Sequence, residues 1–155
     1  MAESSFSILS DIGLIDLGGG EEIKFTVDAF KGHRYVSVRK YLKSDAYSGP
    51  TKAGITLSPE IVGKINEALS ALPSDTKDMQ DTELGKYAKK QGLSIILRIS
   101  SYQNTKGIDI RQWQEDETYT GWTKKGIRLP LEKLPEIKNM FAKLVKYFED
   151  NRTDK

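Results

Sequence analysis

The chain contains an internal duplication with an offset of 72 residues. Shifted by that amount without a gap, the segment Tyr47–Glu60 aligns with Tyr119–Glu132 and shares eight of fourteen residues with it. The duplicated regions span residues 11–72 and 83–144. Two copies are too few for a solenoid, which needs at least three stacked units. The duplication therefore predicts two similar half-domains that face each other, like a homodimer built within one chain.

The hydrophobic pattern of each copy predicts four strands followed by a helix. In the first copy, Ile23 and Phe25 alternate with polar residues, and this period of two indicates a strand with one buried face. A short earlier strand is expected over residues 12–17. Ser58 and Pro59 are typical of a helix start, because serine can cap a helix and proline is tolerated at its first position.

These elements predict an α+β fold of two β-β-β-β-α repeats. Each repeat is expected to be a curved antiparallel sheet with a helix on one face, and the two to pair through their helices as an intramolecular pseudo-dimer. The expected organisation is an N-terminal extension (1–10), a first repeat (11–72), a linker (73–82), a second repeat (83–148) and a C-terminal tail (149–155).

The composition argues against an enzyme. The 155 residues include no cysteine and one histidine, His33, which removes most nucleophile–base pairs and most metal sites. The acidic run at 115–117 is interpreted as a solvated hairpin loop, and the glycines at 18–20 as a flexible connection. We therefore expect no catalytic residue, no metal and no cofactor. With no membrane-length apolar stretch and no evident secretory signal, an intracellular location is expected, in the cytoplasm or nucleoid of a prokaryote or the nucleus of a eukaryote.

Strand parity places aromatic and basic residues together on the sheet face that has no predicted helix. In the first repeat these are Phe30, Arg39, Tyr41, Lys52 and Thr56, and in the second Arg98, Tyr102, Arg111, Trp113, Lys124 and Arg128. Unpaired bases stack on aromatic rings while Lys and Arg contact phosphates, so the pattern favours single-stranded nucleic acid. The alternative is a set of ordinary solvent-facing residues, since Tyr and Trp favour strands. Recurrence in both repeats favours a binding face.

Charge is distributed unequally between the two copies. Residues 11–72 contain 8 Lys/Arg and 8 Asp/Glu, whereas residues 83–144 contain 12 Lys/Arg and 7 Asp/Glu. The second copy is therefore expected to supply most of the electrostatic attraction for phosphates.

Two motifs, in the same order in both copies, carry a resemblance to a known family. They read FKGHRYVSVRKYL followed by PTKAGITLSPE in the first copy, and GIDIRQW followed by WTKKGIRLPLE in the second. Over most of both copies, the chain resembles the carboxy-terminal domain of the transcriptional coactivator positive cofactor four. Members of that family are usually single copies that dimerise through their helices and bind single-stranded or unwound DNA with their sheets.

The resemblance implies DNA contacts from the hairpin turns and the strands. The implied residues are Phe30, Lys31, His33 and Arg39 in the first repeat, and Tyr102, Arg111, Trp113 and Lys125 in the second. Arg34 and Lys106, which adjoin the two turns, complete the candidate set. The chain departs from the family pattern at Leu42, Ala53, Gln103, Thr105 and Gln114. Neither copy keeps the full set, so we expect the contacts to be divided unequally.

Together these features predict a protein that binds single-stranded or unwound DNA with little sequence preference and acts in transcription or DNA maintenance. The alternatives are RNA binding and a protein–protein adaptor role in transcription that uses the open sheets. Purine-rich-element-binding proteins also pair β-β-β-β-α repeats and imply the same ligand class. Expected partners are single-stranded DNA, with RNA and the transcription machinery as further candidates, and no membrane. Further homodimerisation is left open.

Overall fold

The computed structural model describes residues 7–73, 75–76 and 78–151, which form eight strands and two α-helices. The first repeat consists of β1 (Ser7–Gly18), β2 (Glu21–Phe30), β3 (His33–Lys43), β4 (Ser48–Leu57) and α1 (Pro59–Ser70). The second consists of β5 (Thr82–Lys90), β6 (Leu93–Tyr102), β7 (Thr105–Glu115), β8 (Thr120–Pro130), a 3-10 turn (Leu131–Lys133) and α2 (Leu134–Asp150). The predicted α+β class and the two β-β-β-β-α repeats are confirmed.

The eight strands form one continuous antiparallel sheet in the order β1-β2-β3-β4-β8-β7-β6-β5. The two four-stranded halves meet where β4 pairs with β8, and the register there consists of Gly54 opposite Gly126. These two glycines occupy equivalent positions of the two repeats, 72 residues apart. The repeats are therefore related across this central strand pair, which we call the junction.

Both helices pack on one face of the sheet over a core shared by the two repeats. The buried cluster contains inward residues of the inner strands together with residues of α1 and α2. Phe25 of β2 and Phe141 of α2 pack edge to face with ring centroids 5.9 Å apart. α1 and α2 contact each other, and each also contacts the edge strand of the other repeat, α1 with β5 and α2 with β1. Neither described helix is long and apolar enough to cross a membrane.

β1 is longer than the sequence pattern predicted. Expected over residues 12–17, it begins at Ser7, where it pairs with Ala29 of β2. Three register shifts interrupt this pairing, the first between Ile8 and Ser10. Each bulge places an extra residue in one strand and resets which side chains face inward. The apolar residues of β1 therefore do not keep the period of two that identifies a strand in the sequence.

The two helices begin differently because the repeats differ in sequence at the helix start. In the first repeat, the Ser58 side chain caps α1 by accepting a 3.3 Å hydrogen bond from the Ile61 backbone N–H, as the sequence predicted. The equivalent position in the second repeat is Pro130, which has no hydroxyl to offer. There the chain forms the 3-10 turn, and α2 begins only at Leu134.

Candidate nucleic-acid interface

The sheet face opposite the described helices carries the residues that alternate with the core positions. We call it the open face. In the first repeat its members include Lys24, Thr26, Asp28, Ser37, Arg39, Tyr41, Lys52 and Thr56. In the second repeat they include Ile96, Arg98, Asp109, Arg111, Trp113, Trp122 and Arg128. Most of the predicted strand residues are therefore on one surface, as the parity argument required.

Two tryptophans form the aromatic part of the open face in the second repeat. Trp113 lies opposite Trp122 in the β7–β8 register, and the two rings meet edge to face with centroids 4.9 Å apart. The guanidinium of Arg98 lies 4.4 Å from the centre of the Trp122 ring. These three residues line a pocket of about 460 Å³ together with Thr82, Glu83, Lys86, Ile96 and Glu115. The cluster offers both a stacking surface and a cation in one place.

Trp122 was not among the residues predicted to bind. Its position corresponds to Pro50 in the first repeat, so comparison of the two copies gave no repeated aromatic there. A register shift between Arg111 and Trp113 brings Trp122 opposite Trp113. The short hairpin between β7 and β8 was the signal that could have revealed this cross-strand pair.

A buried carboxylate holds two of the predicted DNA-binding arginines. Asp109 is 2% exposed. One of its oxygens lies 3.2 Å from Arg98 Nε, and the other lies 3.1 Å from Arg111 Nη2. Asp109 was absent from the sequence-based set, although it shares the parity of Arg111. The pairing fixes both guanidinium groups and reduces the net positive charge that they present to a ligand.

Three open-face arginines lie flat over glycines of a neighbouring strand. A Cβ atom built at Gly126 would be 2.7 Å from Arg111 Cζ, and one built at Gly54 would be 2.6 Å from Arg39 Cζ. Gly107 stands in the same relation to Arg128, at 2.7 Å. Each glycine is therefore required for its arginine to lie along the sheet. The Arg128 guanidinium donates two 2.8 Å hydrogen bonds, to the Ser100 and Thr105 carbonyls.

The open face of the first repeat has a different lining. Lys24 Nζ lies 4.3 Å from the centre of the Tyr41 ring and covers it. Arg39 donates a 2.9 Å hydrogen bond to the Thr51 carbonyl, and forms no ion pair among the described residues. Asp28 accepts a 2.8 Å hydrogen bond from the Thr26 hydroxyl, and burial raises the pKa of its carboxyl.

Two predicted residues lie away from the open face. Arg34 shares the parity of the core position Val36, donates a 2.6 Å hydrogen bond to the Asn151 carbonyl and stacks 5.1 Å from the Phe148 ring. Arg34 of β3 therefore contacts the C-terminal end of α2. Lys106 donates a hydrogen bond from its amine to the Met79 carbonyl in the segment between the repeats.

The remaining predicted residues lie at the hairpin tips and along β8. Phe30 and Tyr102 end β2 and β6 and are 40% and 63% exposed. Lys31 has a left-handed backbone with φ of 53°, and its amine lies 5.2 Å from the Phe30 ring. His33 is exposed at the start of β3, and Lys124 and Lys125 are exposed on β8. Within the described residues, no group of three or more His, Asp or Glu side chains is placed to hold a metal ion.

Comparison with known proteins connects this arrangement to one family. No curated protein gave a significant match to the chain. A family model described as Transcriptional Coactivator p15 (PC4) matches twice, at residues 17–68 and 89–140. The two matches are offset by the same 72 residues as the internal duplication, and together they cover more than half of the chain. The chain therefore belongs to the PC4 family and contains two copies of its domain in tandem.

Proposed function

We propose that this protein binds single-stranded or unwound DNA through the open face, with little sequence preference, and acts in transcription or DNA maintenance. Membership of the PC4 coactivator family supports a transcription-related, nucleic-acid-binding role in general. The observation that carries the more specific proposal is the cluster of Trp113, Trp122 and Arg98 on the open face.

The chemistry of this cluster suits bases that are not paired. Every base has a π-face that can stack on an aromatic ring, whatever its sequence, and arginine adds stacking and phosphate contacts. Paired bases in a duplex already stack on each other, and their faces are inaccessible to an external ring. A surface that depends on stacking should therefore prefer single strands and discriminate little between sequences.

Intrinsic fluorescence provides the direct test, because the two tryptophans of the cluster are the only two in the chain. We expect a single-stranded oligothymidylate to quench the emission saturably. The Trp122→Pro variant carries the residue that the first repeat has at this position. We expect it to bind the oligonucleotide more weakly than the parent protein does. Saturable binding without any change in tryptophan emission would place the ligand elsewhere on the molecule.

A protein–protein adaptor role is the second candidate, and the free edge of the sheet favours it. The edge strand β1 carries three exposed apolar residues, Ile8, Leu9 and Leu14, which are 57%, 45% and 46% exposed. A free strand edge can pair with a strand of another protein. Ile8 and Leu14 lie opposite the open-face residues Asp28 and Lys24, whereas Leu9 lies at a register shift. Leu9→Ser should therefore weaken a protein partner and leave oligonucleotide binding unchanged.

A further inference from the structure

The pocket beside Trp113 and Trp122 has an apolar floor and acidic groups in its lining. We call it the tryptophan pocket. Ile96 lines it and is only 6% exposed, although it belongs to the open face, so this side chain forms a buried apolar floor. The volume of about 460 Å³ is within the range of pockets that hold small ligands. The pocket therefore has room for a base beside the two rings.

The formal charges of the tryptophan pocket sum to zero. Lys86 and Arg98 are the cations of its lining, and Glu83 and Glu115 are the acids. Arg98 is already paired with Asp109, at 3.2 Å. A phosphate would therefore meet no excess of positive charge in this pocket. An uncharged base would meet aromatic rings and hydrogen-bonding groups.

One of the two acids in the pocket is free to accept hydrogen bonds. Glu115 is engaged, because its Oε1 atom accepts a 3.2 Å hydrogen bond from Trp113 Nε1 and lies 3.9 Å from Lys86 Nζ. Among the described residues, the Glu83 carboxylate has no hydrogen-bond or ion-pair partner. An ionised carboxylate only accepts hydrogen bonds. Glu83 can therefore select for a base that presents N–H donors.

Among the four DNA bases, guanine matches a carboxylate best. Its N1–H and its exocyclic amino group are adjacent donors on the Watson–Crick edge, so both carboxylate oxygens can accept at once. Thymine has a single N–H between two carbonyl oxygens, and adenine and cytosine place an acceptor nitrogen beside the amino group. Bidentate hydrogen bonds to a charged group are the strong and specific ones. The Watson–Crick edge is free for such contacts only in an unpaired base.

The first repeat lacks this pocket. The positions equivalent to Ile96, Arg98 and Trp122 hold Lys24, Thr26 and Pro50. The first repeat therefore has neither the apolar floor nor the second aromatic ring. A base preference at this site would belong to the second repeat alone.

We propose that the tryptophan pocket binds one unpaired guanine, which stacks against the tryptophans and donates its two N–H groups to the Glu83 carboxylate. This inference rests on the proposed function, since it takes a single strand as the ligand. It adds a preference at one nucleotide to a binding surface that is otherwise indifferent to sequence. It also gives an acid of the open face a role in recognition, although the same acid repels the phosphates.

The test uses three oligothymidylates of equal length, which carry thymine, guanine or hypoxanthine at one central position. Hypoxanthine is guanine without the exocyclic amino group. Each oligonucleotide is titrated against the full chain, with tryptophan emission and anisotropy as readouts. The variant is Glu83→Gln, and the control is Glu117→Gln, which removes an equal charge from the exposed hairpin outside the pocket. Glu83 is itself exposed, so both variants should melt like the parent protein.

We expect the parent protein to bind the guanine oligonucleotide about fivefold more tightly than the all-thymine one, which is the low end for one bidentate base contact. Hypoxanthine in place of guanine should remove most of this ratio, and so should Glu83→Gln. Glu117→Gln should keep it.

Equal affinities of the parent protein for all three oligonucleotides would overturn the inference and leave single-strand binding intact. An unchanged ratio in Glu83→Gln would overturn the assignment of guanine to this carboxylate. Binding of no oligonucleotide would overturn both this inference and the proposed function.

Discussion

At the scale of single residues, the open face is organised by pairs that cross from one strand to another. Arg98 and Arg111 were identified from strand parity, but their shared partner Asp109 was not. The sequence assigns a side chain to a face, whereas the strand register decides which side chains meet. For this reason the positions of the two arginines on the open face could be predicted from the sequence. The neutralisation of one of their charges by Asp109 could not. A count of Lys and Arg alone therefore overstates the charge that the second repeat offers to DNA.

Stacking on Trp113 is expected to contribute more than stacking on its counterpart Tyr41. Trp113→Ala should cost about 1–3 kcal/mol of single-strand binding, the usual loss for one stacked base. Tyr41→Ala should cost less, because the Lys24 ammonium already covers the Tyr41 ring. Fluorescence anisotropy of a labelled oligonucleotide measures both losses. A larger loss for Tyr41→Ala would show that the first repeat provides the main stacking site.

The Asp28 carboxyl should make stability depend on pH in a defined direction. Burial raises its pKa above the ordinary value of 3.8, so the folded state binds this proton more tightly than the unfolded state does. Stability contributed by this group is then lost as the pH rises from that value through the folded pKa. Asp28→Asn, which keeps an acceptor for Thr26, should therefore be more stable than the parent at neutral pH.

Chemical denaturation of both proteins at several pH values measures this difference. The advantage of the Asp28→Asn variant should shrink as the pH falls toward 3.8. An advantage that stays constant across this range would mean that Asp28 ionisation has no part in it.

At the scale of elements, the sequence was most informative where the hydrophobic period is regular. β2 was identified by alternation, and the start of α1 by Ser58 and Pro59. The extent of β1 was missed because its bulges break the alternation. The late start of α2 follows from Pro130, which occupies the position of the capping serine. Alignment of the two repeats shows this difference, because Ser58 can cap a helix and Pro130 cannot.

Substitution by alanine should lower the stability of the protein at one glycine of the sheet and raise it at one glycine of a helix. At Gly126 a Cβ would be 2.7 Å from Arg111 Cζ and 2.8 Å from its Cγ, so the whole arginine must move. We expect Gly126→Ala to cost about 1–3 kcal/mol of stability through overpacking, and to weaken DNA binding. At Gly63 in α1 nothing lies within 4 Å. Gly63→Ala should therefore add up to about 1 kcal/mol through helix propensity.

Thermal and chemical unfolding measure both stabilities, and oligonucleotide titration provides the second readout. Gly63→Ala lies in α1, on the face opposite the open face, and should bind DNA like the parent protein. It is therefore the control for DNA binding. Unchanged stability in Gly126→Ala would show that Arg111 does not need the space above that glycine.

At the scale of the whole molecule, the duplication predicted two paired units, and contact between α1 and α2 is confirmed. The pairing of β4 with β8 into one eight-stranded sheet was not predicted. The register between β4 and β8 consists of Gly54 opposite Gly126. Because glycine has no side chain, these positions give no hydrophobic pattern from which the pairing of the two strands could be predicted.

Separated repeats should not behave as stable monomers. Each helix contacts the edge strand of the other repeat, and the Phe25–Phe141 contact joins the two halves of the core. Expressed alone, residues 7–72 or 82–151 should dimerise or unfold, since cutting the chain exposes this apolar surface. Sedimentation equilibrium and circular dichroism distinguish these states. Two well-folded monomeric halves would contradict the shared core.

The relative affinities for single-stranded DNA, duplex DNA and RNA of the same length and sequence decide whether the open face recognises unpaired bases. All three are titrated against the full chain at one fixed salt concentration, with tryptophan emission and anisotropy as readouts. We expect single-stranded DNA to bind at least about tenfold more tightly than the duplex, which corresponds to roughly 1.4 kcal/mol. A preference for RNA would favour the RNA-binding alternative, and equal or tighter binding of the duplex would contradict the account of the open face as a stacking surface for unpaired bases.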